Sequence, residues 1–137
     1  MSKQYRYLLD TNIISDLMKN PQGEVAKRIA QVGEDTICTS IIVVAELEFG
    51  VQKKGSAKLR ERLDLILSAI DVLALETPAE EKYGEVRHQL EKQGTPIGGN
   101  DLLIAAHALA LDLCVVTRNV REFERVSGLQ VENWLDS

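Results

Sequence analysis

Short apolar runs and longer amphipathic stretches alternate along this chain. The short runs predict buried strands at 5–10, 36–39, 71–75 and 113–117, with a weaker strand at 129–131. The stretches between them predict helices at 11–20, 24–31, 40–54, 57–69, 77–93 and 102–111, with a short segment at 121–125 after the fourth strand. Strands that alternate with helices imply a mostly parallel sheet covered on both faces. We therefore predict a single α/β domain over residues 1–137.

Several helix ends are marked by residues with a local structural role. Ser40 is a good N-cap for the long helix that follows it, and Pro78 is expected at the first position of a helix that Gly94 ends. Asn100 and Asp101 are expected to open the apolar helix of residues 102–111. These signals fix where polar side chains stand relative to the predicted sheet.

Composition narrows the class of protein. The chain has 137 residues, 45% of them hydrophobic and 27% charged, as in ordinary globular domains. No apolar run approaches the roughly 18 residues that a membrane-spanning helix needs. Residues 1–6 lead straight into a strand-like run rather than a secretory segment, so we expect a cytoplasmic protein. Cys38 and Cys114 lie in apolar runs, which predicts buried, reduced thiols rather than a metal site.

Two acidic residues stand where chemistry is expected in an α/β fold. Asp10 follows the first predicted strand, and ligands of such folds bind beyond the carboxyl ends of the strands. Its alternative role is to cap the helix that begins at Thr11. Glu46 lies at the margin of the buried stripe of an apolar helix, where a carboxylate needs a partner or must reach solvent.

Two further locations add polar side chains. Asp101 follows Gly98 and Gly99, which would let the backbone pass close to a ligand, although helix capping alone would also explain this acid. The loop after the fourth strand offers Thr117, Asn119 and Glu122. Carboxylates brought together raise one another's pKa unless a cation is bound, and oxygen ligands select Mg²⁺ or Mn²⁺ over zinc.

Four stretches of the sequence resemble the signature motifs of PIN-domain proteins. They are 8–12, 40–46 with the following Gly50, 97–107, and 115–119 with Glu122 and Phe123. The motifs occur in order and span essentially the whole chain, and the nearest group is the VapC toxins of bacterial toxin–antitoxin pairs. The resemblance implies a three-layer domain with a central, mostly parallel sheet of four to five strands flanked by helices.

The resemblance also implies roles for individual residues. Asp10, Glu46 and Asp101 would be the catalytic, metal-binding acids. We call Asp10 the first corner of the site and the loop after the fourth predicted strand its fourth corner. Thr11, Asn12 and Thr117 would support these two corners through hydrogen bonds.

The fourth corner departs from the family pattern. PIN domains often carry an acid where this chain has Asn119. Either the amide oxygen of Asn119 or the carboxylate of Glu122 would complete this corner, and the number of metal ions, one or two, depends on which.

The implied activity is that of a Mg²⁺-dependent endoribonuclease in which Mn²⁺ substitutes for Mg²⁺. The family hydrolyses RNA to a 5′-phosphate and a 3′-hydroxyl, and the implied substrates are structured RNAs such as a tRNA anticodon loop. The implied partners are a VapB-type antitoxin and a second copy of the chain, with operator DNA contacted only through the antitoxin and no membrane. The paired helices between Val43 and Ala69 would form the groove for the antitoxin.

Charge sets a limit on RNA binding. The formal net charge is −5 and aromatic residues make up 4% of the chain, which excludes a broad basic face or an array of stacking rings. Removing the four candidate acids changes −5 to −1, since each contributes −1. The bases expected near the site are Lys53, Lys54, Arg118, Arg121 and Arg125.

Other interpretations remain open. Asn119 gives some support to a non-catalytic PIN-like interaction module. A receiver-like phosphoacceptor domain needs a lysine at a late strand end, and residues 115–119 contain none. We expect His107 to be structural and Asp16 to be solvated or to face the cleft. Trp134 is expected to cover the edge of the core or a dimer contact.

Overall fold

A five-stranded parallel sheet forms the centre of the protein in a computed structural model, which describes residues 4–135. The strands are β1 (Tyr7–Leu9), β2 (Ile37–Ser40), β3 (Asp71–Leu73), β4 (Cys114–Val116) and β5 (Val131–Glu132). They lie in the order β3-β2-β1-β4-β5, and every neighbouring pair is parallel. The predicted fold class is confirmed. The single domain of 1–137 stays a prediction, because residues 1–3 and 136–137, including the predicted lead into β1, lie outside the described residues.

Helices cover both faces of the sheet. They are α1 (Thr11–Lys19), α2 (Glu24–Val32), α3 (Ile41–Lys54), α4 (Ala57–Leu67), α5 (Ala79–Gln93), α6 (Gly99–Leu111) and α7 (Val120–Phe123). If its crossovers have the usual right hand, this strand order places α1–α4 on one face and α5–α7 on the other. In agreement, α1 packs against the other three helices of its layer, and α5 packs against α6. Within residues 4–135, no helix is long and apolar enough to cross a membrane.

The core lies between these layers because the central strands are apolar on both faces. Leu8 pairs with Cys38 on one side and with Val115 on the other, and all three side chains are fully buried. Strands of covered parallel sheets read as continuous hydrophobic runs for this reason. Trp134 closes the core at the β5 edge, where its ring meets that of Tyr7 edge to face at a centroid distance of 5.0 Å. Trp134 is buried, which agrees with the expectation that it covers the edge of the core.

The two cysteines behave as predicted from their apolar surroundings. Cys38 and Cys114 are buried and free. Burial raises the pKa of each thiol to about 12, which keeps both protonated and unreactive.

Some predicted boundaries are wrong in instructive ways. Pro78 is the N-cap residue of α5 rather than its first helical residue, since its φ of −96° and ψ of 30° are not helical. Thr36 lies in a 3-10 turn (Glu34–Thr36), and β2 begins one residue later. Helix α6 begins at Gly99, so Asp101 lies within its first turn.

Two further differences concern the edge strands. β3 stops at Leu73, two residues earlier than predicted, and β5 contains only Val131–Glu132. Both strands pair on one side only, so fewer backbone hydrogen bonds hold their ends than in the central strands.

The strand order reverses between β1 and β4, and this reversal positions the candidate site. In open parallel sheets, the loops leaving two strands at such a point diverge and leave a crevice beyond their carboxyl ends. Asp10 follows β1 and Thr117 follows β4 at this crevice. Helix α3 leaves the end of β2 beside it, with Ser40 as N-cap accepting a hydrogen bond from the backbone N of Ile42 at 3.1 Å.

Candidate active site

A polar cleft of about 450 Å³ opens beyond the carboxyl ends of β1 and β4. Its lining consists of Asp10, Thr11, Asn12, Ser15, Asp16, Lys19, Glu46, Asp101, Arg118 and Asn119. Every one of these side chains is polar or charged. The three acids expected to bind metal therefore line one cleft, although they come from three separate parts of the chain.

Asp10 both caps a helix and faces the cleft, so the two interpretations left open by the sequence hold together. Its Oδ1 accepts a hydrogen bond from the backbone N of Thr11 at 2.8 Å, and its Oδ2 accepts one from Oγ1 of Thr117 at 2.7 Å. Asp10 is only 2% exposed. Burial raises its pKa, the two hydrogen bonds lower it, and the charges of Glu46 and Glu122 raise it further.

Glu46 is fixed by contacts from the helices on either side of it. Its Oε1 accepts from Oγ1 of Thr11 at 2.6 Å, and its Oε2 accepts from Nδ2 of Asn100 at the longer distance of 3.4 Å. Glu48, two residues on, turns toward α4 and forms a bidentate pair with Arg60 at 2.6 and 2.7 Å. The spacing on α3 thus sends one glutamate into the cleft and uses the other to hold the α3–α4 hairpin together.

At the fourth corner, the carboxyl of Glu122 lies beside that of Asp101. Burial, a hydrogen bond with the nearby carboxyl of Glu122 and the charge of that group together raise the pKa of Asp101 to about 7. Oε1 of Glu122 also accepts from the backbone N of Gly98 at 3.0 Å. An added Cβ at Gly98 would lie 3.8 Å from an oxygen of each acid, which is ordinary contact, so the protein itself does not require glycine here.

Asn12 and Asn119 brace the loop after β4. Oδ1 of Asn12 accepts from the backbone N of Arg118 at 3.0 Å, and the backbone N of Asn119 donates to Oγ1 of Thr117 at 3.0 Å. The hydroxyl of Thr117 therefore links Asp10 to the loop that carries Glu122. Glu122, rather than Asn119, places a carboxyl beside Asp101.

The donor set can be tested for a metal ion on its own chemistry. Within residues 4–135, no three Asp, Glu, His or Cys side chains are arranged to hold a metal as they stand. Magnesium is commonly held by one or two carboxylates and keeps several waters, whereas protein zinc sites are built mainly on Cys and His ligands. Among residues 4–135, no His or Cys lines this cleft, so its metal ligands would be oxygens, and the carboxyl of Asp101 is crowded by that of Glu122. The residues present therefore fit Mg²⁺ or Mn²⁺ and do not fit zinc.

The structure also separates the expected bases from residues that sequence reasoning missed. Of the five bases expected near the site, Arg118 alone lines the cleft, and Arg125 instead donates to the carbonyl of Pro96 at 3.1 Å. Lys19 and Ser15 line the cleft and were not foreseen. The signal was the spacing of four residues from Thr11 to Ser15 and on to Lys19, which places all three on one face of α1.

Exposure and hydrogen bonds show the roles of the remaining polar candidates. His107 is 1% exposed, and its Nδ1 lies 2.8 Å from Oγ of Ser40. Burial lowers its pKa, as expected for a neutral structural histidine. His88 is exposed on α5. Asp16 lines the cleft, where it accepts a hydrogen bond from Nδ2 of Asn20 at 3.0 Å.

Known proteins resemble this chain along nearly its whole length. The model of the PIN domain family matches residues 7–129. Ribonuclease VapC2 of Rickettsia felis is 40% identical over 130 residues, covering 93% of this chain and 97% of the relative. The tRNA(fMet)-specific endonuclease VapC of Shigella flexneri is 37% identical over 133 residues, covering 94% and 98%.

Solved structures agree with the sequence relatives. The crystal structure of VapBC2 from Rickettsia felis bound to a DNA fragment from their promoter contains a chain that superimposes with a TM-score of 0.86 at 36% identity, covering 93% of this chain and 98% of that one. A chain of DNA-bound VapBC from Salmonella typhimurium gives a TM-score of 0.85 at 34% identity, covering 96% and 99%.

Proposed function

The chain belongs to the PIN-domain family, among the VapC ribonucleases of VapBC toxin–antitoxin systems, and from this premise we propose that it is a Mg²⁺-dependent endoribonuclease that cleaves structured RNA. The observation that carries the proposal is the cleft in which Asp10, Glu46 and Asp101 meet beyond the strand ends. Inhibition of translation and of growth, relieved by an antitoxin, is the expected consequence.

Asp10 and Asp101 are proposed to hold the metal, with Glu46 assisting and Glu122 completing the fourth corner. When bound, Mg²⁺ supplies positive charge at the scissile phosphate and lowers the pKa of a coordinated water. Mn²⁺ has the same ligand preference and is expected to substitute. Thr117 and the backbone N of Thr11 orient Asp10, and their hydrogen bonds lower its pKa against the larger, opposing effect of burial.

Glu46 is proposed to accept the proton of the attacking water. Its Oε1 is occupied by the hydroxyl of Thr11, whereas Oε2 makes only the long contact with Asn100 and keeps a free lone pair. The water oxygen forms a bond to phosphorus while the bond from phosphorus to the 3′ oxygen breaks. Oε2 of Glu46 takes the water's proton, and the leaving oxygen takes a proton from solvent, giving a 5′-phosphate and a 3′-hydroxyl.

The proposed substrate is a tRNA, cut in its anticodon loop. Support comes from the VapC of Shigella flexneri and that of Salmonella typhimurium, both of which are tRNA(fMet)-specific endonucleases by name. A net charge of −5 suits an enzyme that recognises a small exposed loop better than one that binds RNA broadly. A cytoplasmic location follows from such a substrate.

A VapB-type antitoxin is the proposed partner, lying on the helical hairpin of α3 and α4. This hairpin exposes two large apolar side chains, Phe49 at 69% and Leu65 at 72%. Exposed apolar groups of this size commonly mark protein contacts. Operator DNA is proposed to be contacted through the antitoxin, in keeping with the DNA-bound VapBC structures. A homodimer is proposed from the family.

The central experiment is cleavage of total tRNA by the purified chain in Mg²⁺, followed by sequencing of the RNA 5′ ends. We expect one dominant cut with a 5′-phosphate, lost in EDTA and in Asp101→Asn. The matched control is Glu61→Gln, which neutralises an exposed acid on α4 outside the cleft and should cleave normally. Equal cleavage by the wild type and Asp101→Asn would contradict the proposal.

A second measurement separates the nuclease from an inert PIN-like module. Calorimetric titration with Mn²⁺ should give a binding heat for the wild type that Asp101→Asn loses. A chain that neither binds Mn²⁺ nor cuts RNA would be the non-catalytic alternative.

A further inference from the structure

Two cations line the cleft beside the acids. Lys19 is the last residue of α1, and Arg118 lies in the loop after β4. Among residues 4–135, neither side chain forms an ion pair, although acids line the same cleft. Arg28, Arg60 and Arg87 are all paired with carboxylates. The two cleft cations are therefore available to an anionic ligand.

The two cations lie at different distances from the acids of the cleft. Eight residues of helix separate Thr11 from Lys19, a rise of about 12 Å. Side chains of a helix point back toward its N-terminus, so the ammonium of Lys19 is directed toward the acids. Arg118 instead adjoins Thr117, whose hydroxyl binds Asp10. One cation is thus distant along α1 and the other is next to the acidic centre.

The cleft lining indicates which part of a nucleic acid enters it. Among residues 4–135, no Tyr, Phe, Trp or aliphatic side chain lines the cleft, so it offers no aromatic ring on which a base could stack. Hydroxyl, amide and cationic groups suit ribose and phosphate. The cleft is therefore built for the backbone of a nucleic acid rather than for its bases.

We propose that Lys19 and Arg118 form a phosphate-binding site in which each cation binds a backbone phosphate flanking the one that is cut. The inference rests on the proposed function, because it takes single-stranded RNA as the ligand. Asp16 shares the cleft and opposes the site electrostatically, but its carboxylate accepts from Asn20 at the end of α1. In a chain of net charge −5, two unpaired cations at the cleft carry much of the attraction for RNA.

The test is the salt dependence of RNA binding. Fluorescence anisotropy is measured with a fluorescein-labelled 12-nucleotide oligo(U), in EDTA, and every protein carries Asp101→Asn so that the RNA stays intact. A single-strand phosphate contact contributes about 0.7 to the slope of log K against log salt. Lys19→Ala and Arg118→Ala should each lower the slope by about this amount and weaken binding roughly 3- to 10-fold, and the double variant should lose about 1.4.

Matched controls separate this site from a general charge effect. Lys58→Ala removes an exposed cation on α4, none of whose residues line the cleft, and should leave the slope unchanged. Lys19→Arg and Arg118→Lys should restore it. Oligo(C) should show the same losses as oligo(U), since phosphates carry no sequence. Thermal melting confirms that each variant is folded.

Three results would overturn the inference: an unchanged slope in the double variant, an equal loss in Lys58→Ala, or no RNA binding by the parent protein. Cleavage of tRNA by the chain with Asp101 intact is measured in parallel. Cleavage with unchanged slopes would refute the phosphate site alone. Absent cleavage with reduced slopes would refute the nuclease and leave an RNA-binding cleft.

Discussion

The first and fourth corners of the cleft are built in opposite ways. Asp10 stands at the end of the central strand, is almost fully buried, and is held by two hydrogen bonds, one from the adjacent Thr11 and one from Thr117 after the neighbouring strand. Glu122 stands on α7, a helix of four residues, and is held by the backbone N of Gly98 and the carboxyl of Asp101. Asp10 is thus held at the end of the central strand by its neighbour Thr11 and by Thr117 after the adjacent strand, whereas Glu122 is held on a short helix by the loop before α6 and by the first turn of α6.

This difference indicates how much change in position each corner of the site can accept. A strand end cannot shift without disturbing the sheet, so the first corner accepts little change. A short helix can shift more easily than a strand end, so we expect the fourth corner to accept more change. Glu122, whose carboxyl lies beside Asp101, is our proposed acid for this corner.

The largest effect is expected at the first corner. Asp10→Asn keeps the size of the side chain and one of its two acceptor oxygens but removes its charge, so RNA cleavage should fall at least about 1000-fold. The midpoint of thermal unfolding should stay the same or rise, because burial disfavours the charged form. Initial cleavage rates in Mg²⁺ and melting in EDTA check both parts. An active Asp10→Asn protein would refute the role given to the strand end.

The fourth corner should give a smaller loss that identifies its working residue. Glu122→Gln should lower the cleavage rate by roughly 10- to 100-fold, the usual range for a residue that supports metal ligands. Asn119→Ala should change the rate by less than about 3-fold, because its observed contact is made by its backbone. Rates at saturating Mg²⁺ decide between them. The reverse order would assign the corner to Asn119.

The hydroxyl that links the two corners is the next target. Thr117→Val keeps the shape of the side chain but leaves Oδ2 of Asp10 and the backbone N of Asn119 without this partner. The free energy of unfolding should fall by about 1–3 kcal/mol, the cost of unsatisfied buried polar groups. Urea denaturation measures the loss, and Thr117→Ser is the control expected to retain most of the stability. Equal losses in both variants would point to packing rather than to the hydroxyl.

The smallest effect concerns His107, which supports the helix of Glu46 and belongs to neither corner. Its folded pKa lies below the unfolded value of about 6.5, so the unfolded chain binds the proton first and stability falls as pH drops below that value. The loss is at most about 1.4 kcal/mol per pH unit, and His107→Gln should remove it. Urea denaturation at pH 7.5 and 5.5 isolates the difference. An identical pH dependence in the two proteins would contradict it.

Sequence reasoning succeeded where a single segment determines the outcome. Asp10 at a strand end, Ser40 at a helix start and Gly94 at a helix end were each predicted, and the structure places all three there. In each case the neighbours that decide the conformation lie within a few residues. The order of apolar runs likewise sufficed for the parallel sheet.

Sequence reasoning failed where contacts between distant segments determine the position of a side chain. The choice between Asn119 and Glu122 depends on how α7 meets the loop before α6, which no local pattern encodes. Lys19 was missed because a lysine at a helix end is ordinary, and only the fold brings it to the acids. The orientation of Glu46 depended in the same way on Thr11, a residue 35 positions away.

The place of β4 in the sheet has a consequence for how the protein is made. Central strand β1 needs β4 on one side, and β4 begins only at Cys114. Asp101, Thr117 and Glu122 also emerge late from the ribosome. A nascent chain therefore has no complete cleft until β4 and α7 have been synthesised, long after Asp10 and Glu46.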